Sequence, residues 1–153
     1  TPKVIEYNCR FGDPETQPIM MRLQSDLITL CNAALDGKLD TVSAEWDPRA
    51  AVGVVLAAGG YPEAYNKDDI ISGLENTDNA DTKVFHAGTR LKNGMVVTSG
   101  GRVLCATALA DTVAEAQKKA YLAIDKISWQ DMFYRSDIAY RAIEREQSSN
   151  IKD

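Results

Sequence analysis

Asn93-Gly94 stands between two strand-length runs, Lys83 to Leu91 and Met95 to Ser99. Both residue types accept the positive φ of a two-residue type I′ turn, and a turn that short joins only antiparallel neighbours. Other extended segments lie close by. Ala50 to Ala58 is a nearly continuous apolar run of strand length, closed by Gly59-Gly60-Tyr61-Pro62. Asp69 to Leu74 has the length of a short strand, and Gly100-Gly101 breaks the pattern before Val103 to Leu109. Helical patterns fall at the two ends of the chain. Strands clustered between helices and joined by hairpin-type turns predict an α+β fold, with a mainly antiparallel sheet and C-terminal helices.

The clearest helix starts at Thr112. Thr112 and Glu115 form a capping box, and Val113, Ala116, Ala120 and Ile124 continue along one face. A last helix is expected from about Ser136 to Glu146, followed by a polar tail. At the other end, Val4 to Phe11 reads as a strand and Gly12-Asp13-Pro14-Glu15 as a turn. Asp13 suits an N-cap and Pro14 the first helical position. The spacing of Ile19, Leu23, Leu27, Leu30 and Ala34 predicts one helix to about Asp36, with Gly37 as its stop. Leu39 to Pro48 is polar and reads as a linker between two units.

A chain of 153 residues suffices for one good core, or for one domain and part of another. The net charge of -5 argues against nucleic-acid binding by phosphate neutralisation. No apolar run approaches the roughly 20 residues needed to cross a bilayer, and no signal peptide is visible. Cys9, Cys31 and Cys105 are far apart, and His86 is the one histidine. That set excludes a structural zinc site with about four soft ligands. Three reduced, mostly buried thiols in a cytoplasmic protein are expected. Trp46, Trp129 and Tyr140 read as packing residues, and His86 as a hydrogen-bonded structural one.

Along a strand over Val4 to Phe11, Glu6, Asn8 and Arg10 share a face. A carboxylate and an amide oxygen are hard ligands suited to Mg²⁺, which takes one or two protein ligands beside nucleotide phosphates. A guanidinium along the same face is spaced to clamp a phosphate oxygen. The same three residues would equally suit the solvated face of a surface strand. Gly100-Gly101-Arg102 has two readings as well: backbone N–H groups and a cation aimed at a phosphate, or a tight turn between strands.

Arg10-Phe11-Gly12-Asp13-Pro14-Glu15-Thr16-Gln17 closely resembles the signature segment of phosphoribosylamine–glycine ligases, members of the ATP-grasp superfamily, and Val4 to Asn8 resembles the metal-binding strand before it. The likeness extends through Pro18 to Arg22, Ala57 to Pro62, Val84 to Thr89, Gly100 to Leu104 and Ala142 to Arg145, in order and without large gaps. It implies that residues 1–42 are the end of an ATP-grasp domain, strand plus helix. Residues 43–147 would be the ligase's C-terminal domain and 148–153 a polar tail. It implies Glu6 and Asn8 as ligands of Mg²⁺ or Mn²⁺ and Arg10 as the catalytic cation at the nucleotide phosphates. Asp13 and Glu15 would face glycine, with the N-cap and helix-dipole readings open beside that role. The implied substrates are ATP, glycine and 5-phosphoribosylamine, and the implied partner is the rest of the same enzyme chain. A glycine-rich phosphate loop, nucleotide lysines and an adenine pocket are missing from these residues, so the chain alone is expected to be inactive. About 280 further residues are expected before Thr1. Another ATP-grasp ligase or carboxylase, or a non-catalytic module with the same fold, is the alternative.

Overall fold

The computed structural model describes residues 2–7 and 9–150, with the side chains of 149 and 150 excepted. Its centre is a three-stranded antiparallel sheet in the order β1-β5-β2, formed by β1 (Ala50–Ala57), β2 (Thr82–His86) and β5 (Arg102–Ala110). The apolar run at 50–58 thus becomes β1 at one edge. Every residue of β5 from Val103 to Ala110 is buried. A strand with both faces covered needs such continuous hydrophobicity, where a half-exposed one would alternate.

Helix α3 (Val113–Ile124) covers one face. Ala116, Ala120, Ala123 and Ile124 form its buried stripe and join Val52, Val54, Leu56, Leu104, Ala106 and Ala108 in one core cluster. The cap expected at Thr112 is present: its side chain accepts a hydrogen bond of 3.2 Å from the Glu115 N–H. Glu146 adds a second, accepting from the Val113 N–H at 3.0 Å. The opposite face of the sheet receives the short helix α1 (Thr16–Arg22). Its Pro18 ring rests on Gly53 so closely that a Cβ there would lie 3.0 Å from Pro18 Cγ and 3.2 Å from Cys105 Sγ.

The Asn93-Gly94 turn forms as expected, with φ of 52° and 78°. It joins β3 (Thr89–Lys92) to β4 (Met95–Thr98) in a separate two-stranded sheet. The single strand expected over Lys83 to Leu91 is therefore two, β2 and β3. Gly88 breaks them, because its backbone is pressed against Gly100 and Arg102. Asp69 to Leu74 does not form a ladder. It makes isolated bridges, Ile70 to Val97 and Ser72 to Ser128, and passes into a 3₁₀ turn over Leu74–Asn76.

Three further expectations are corrected at the ends of the chain. The helix foreseen from Pro14 to Asp36 is split into α1 and α2 (Leu27–Leu35). Between them Leu23 is extended and bridges Trp46, the Asp47 N–H donates to Arg22 O at 2.7 Å, and the Glu45 N–H donates to Ser25 Oγ at 2.7 Å. Asp26 then caps α2 from a bond of 2.7 Å to the Thr29 N–H. Cross-chain hydrogen bonding outweighs the apolar period there. The last helix, α4, runs over Tyr140–Asn150 rather than 136–146 and takes up the start of the expected tail. Residues 2–7 and 9–11 form no strand at all. A β-strand needs a neighbour for its N–H and C=O groups, and among the described residues none pairs with this segment.

Side-chain expectations are corrected too. Cys9 and Cys31 are exposed, and only Cys105 is buried; burial pushes its thiol pKa up. Trp129 is a core residue as expected, whereas Trp46 and Tyr140 are exposed.

Candidate functional site

Antiparallel order places the end of β1, the end of β2 and the start of β5 at one end of the sheet. The turn before α1 arrives at the same end. There it borders a cleft of about 270 Å³ whose walls include Pro14, Gly53, Tyr61, Arg102, Phe133 and Ile138. Two strand positions give the cleft its floor. Val55 and Ala57 alternate with core-facing Val54 and Leu56, and Gly53 lines the cleft on the same face. The wall from Phe133 to Ile138 is hung from α3. The Tyr121 hydroxyl donates to Arg135 O at 2.6 Å and accepts from the Ile138 N–H at 3.2 Å, while Gln117 Nε2 donates to Ile138 O at 2.6 Å.

Glu6 and Arg10 lie exposed, and Arg10 donates to Phe11 O at 2.9 Å. Asn8 lies outside the described residues. Glu6 offers hard oxygen, which suits Mg²⁺ or Mn²⁺ sharing its remaining positions with phosphates. Among the described residues no group of three or more His, Cys, Asp and Glu converges on one point.

Asp13 is not an N-cap. Glu15 occupies that position, without a side-chain capping bond. Its carboxylate instead folds back over Gly12, where a Cβ would collide with it. The Gly12 carbonyl accepts from the Thr16 N–H at 3.1 Å and from the Thr16 hydroxyl. The Asp13 carboxylate faces Arg102 across the cleft mouth, Oδ2 to guanidinium at 3.1 Å, and the same guanidinium donates to Asp13 O at 3.4 Å. The structure thus joins two candidates that lie 89 residues apart.

Gly100 and Gly101 make a closely packed turn. The Gly100 N–H donates to Gly88 O at 3.1 Å, and the Tyr61 ring lies against Gly101, leaving no room for a Cβ. The first of these amides is spent within the protein. Gly101 O accepts from the Ala58 N–H at 2.9 Å, which ties the turn to the end of β1. His86, at the same end of the sheet, is exposed, and its Nδ1 is 3.0 Å from the Thr89 hydroxyl. That contact fits the structural role expected of it.

Sequence reasoning missed Tyr61, Arg135 and Asp137. Arg135 grips Asp137 with two bonds of 2.8 and 2.7 Å, and that grip holds the Asp137 carboxyl below its ordinary pKa. Arg-Ser-Asp matches no motif. Its one signal in the sequence is the presence of opposite charges two residues apart.

A family model described as phosphoribosylglycinamide synthetase, C domain, matches residues 51–141. The chain belongs to the phosphoribosylglycinamide synthetase family. The matched residues include all but the first residue of β1, and β5, α3 and the loop that walls the cleft. Glu6 to Glu15 precede them. The chain is 67% identical over 147 residues to the phosphoribosylamine–glycine ligase of Vibrio vulnificus strain CMCP6, covering 96% of this chain and 34% of that protein. It is 64% identical over 148 residues to the enzyme of the same name from Escherichia coli O6:H1, with the same coverage. A crystal structure of phosphoribosylamine–glycine ligase from Thermotoga maritima superimposes with a TM-score of 0.67 at 37% identity, over 89% of this chain and 33% of that one. The chain therefore spans about a third of the length of these synthetase-family relatives.

Proposed function

We propose that this chain supplies the metal-binding segment around Glu6 and the C-terminal domain of an ATP-dependent ligase that joins glycine to 5-phosphoribosylamine. The products are glycinamide ribonucleotide, ADP and phosphate, in the de novo synthesis of purines in the cytoplasm. The observation that carries this reading is the 67% identity, across 96% of the chain, to an enzyme of that name. Such continuous identity favours glycine as acceptor over the substrates of other ATP-grasp ligases and carboxylases.

In this reading the glycine carboxylate attacks the γ-phosphate of ATP, forming glycyl phosphate and releasing ADP. The amine of phosphoribosylamine then attacks the acyl carbon and expels phosphate. Glu6 and Asn8 would hold Mg²⁺ or Mn²⁺, which would supply positive charge against the phosphoryl oxygens. Arg10 sets a fixed cation beside the nucleotide phosphates, and Asp13 and Glu15 lie on the path of the glycine ammonium. Gly100-Gly101 is the turn that carries Arg102 to the cleft mouth. The nucleotide cradle belongs to the rest of the enzyme chain, so the 153 residues alone do not turn over.

The test is Glu6→Gln in the full-length enzyme, followed by glycine-dependent ADP release. A fall in kcat of roughly 100-fold, at an unchanged melting temperature, is expected for loss of a charge-stabilising group. Unchanged turnover at limiting Mg²⁺ would refute the assignment. Glycine-dependent ADP release by the isolated chain, with phosphoribosylamine present, would sink the claim that it is inactive.

A further inference from the structure

The geometry points to Arg102 as a positioning residue that clamps the Gly12–Glu15 turn to the sheet and so presents Asp13 to the substrate. Three observations carry it. First, the guanidinium engages Asp13 at two places, the carboxylate at 3.1 Å and the main-chain carbonyl at 3.4 Å. A carbonyl contact fixes backbone as well as charge. Second, among the described residues the other hydrogen bonds of the turn are local. They include those from the Thr16 N–H and hydroxyl to Gly12 O, and Glu15 folds over Gly12. Pro18, packed on Gly53, anchors the helix that follows. Third, Arg102 is itself rigidly mounted. It opens β5, its carbonyl accepts from the Gly88 N–H at 2.9 Å, and Gly101 before it is pinned beneath Tyr61.

Arg102 therefore acts from within the C-terminal domain on a segment that precedes that domain. Its cationic head is occupied by Asp13, so it acts on substrate through Asp13 and not by binding phosphate directly. Where the Gly12–Glu15 turn shifts, Asp13 and Glu15 move with it. Small displacements of positioned groups are costly in catalysis. This inference rests on the functional reading above for its kinetic arm and on the structure alone for its physical arm.

The physical arm uses this chain. Arg102→Ala is expected to speed amide hydrogen exchange at Thr16 about five-fold, the factor that one exposed ion pair carries. Exchange in the β5 core should stay unchanged. Arg102→Lys keeps the charge but lacks the fork that reaches both Asp13 oxygens, so it should rescue only part of the protection. Unaltered exchange at Thr16 overturns the clamp, whatever the enzyme does. The kinetic arm uses the full-length ligase with Arg102→Ala, Asp13→Asn and the double variant. Each single change is expected to raise KM for glycine, and the double variant should be no worse than the poorer single one. Additive effects, or a rise in KM for phosphoribosylamine alone in Arg102→Ala, would make Arg102 a substrate ligand and overturn the proposal. Faster exchange at Thr16 in a full-length protein without ligase activity would fault the functional reading and leave the clamp intact.

Discussion

At the scale of single residues, backbone conformation and charge pairing set constraints that composition does not reveal. Ala139 sits at φ 69°, where the Cβ of an L-residue crowds the backbone. It lies just before α4 and at the end of the cleft wall, so that conformation is imposed by the loop's attachment to α3. Ala139→Gly is expected to stabilise the protein by about 0.5–1 kcal/mol, the strain relieved less the extra entropy of glycine. Urea denaturation measures it; a lower midpoint in the variant would contradict the reading. Asp13 makes a similar point. Its neighbours Gly12 and Pro14 suggest a helix cap, yet the structure turns its carboxylate to an arginine 89 positions away.

At the scale of elements, α3 and the β3–β4 hairpin were legible because local chemistry specifies them. Asn93-Gly94 supplies the turn and Thr112 supplies the cap, and both act within a few residues. Thr112→Ala should cost about 1 kcal/mol in a thermal or urea melt, the usual value of an N-cap. A loss near zero would mean that Glu146, reaching from α4 to the Val113 N–H, carries the cap unaided. The split of the first helix was not legible. Ile19, Leu23, Leu27 and Leu30 keep helical spacing across the break. Residues 45–47 draw three groups of that stretch into bonds and bridges with a distant segment.

At the scale of the whole molecule, one ionic network ties the polar linker to the sheet and to α3. Arg49 holds Asp47 at 2.7 Å and Asp81 at 2.7 Å, and Lys119 of α3 reaches Asp81 at 2.8 Å. Asp47 is 8% exposed. Hydrogen bonds from the Arg49 side chain, and then from its backbone, lower the Asp47 carboxyl from 3.8 to about 2. A carboxyl depressed in the fold contributes stability that is complete above its unfolded value and lost as pH falls through its folded one. The melting temperature of Asp47→Asn should therefore lie below that of the parent at pH 7. The gap should narrow as pH drops from about 4 towards 2. A gap independent of pH would assign the effect to packing alone.

By itself, the sequence determined the antiparallel α+β class, the capped helix on the sheet, the hairpin, and the likeness carried by Arg10 to Gln17. All of these rest on short-range rules or on identity of residues. The tertiary structure alone decided three things. The stretch from Val4 to Phe11 has the alternation of a strand in its sequence, but its described residues form none, with Ile5 97% exposed, because a strand exists only through its neighbours. The first helix breaks where a distant segment competes for its polar groups. Arg102 meets Asp13 because β5 starts at the end of the sheet where the Gly12–Glu15 turn arrives, and no local rule links positions so far apart in the chain.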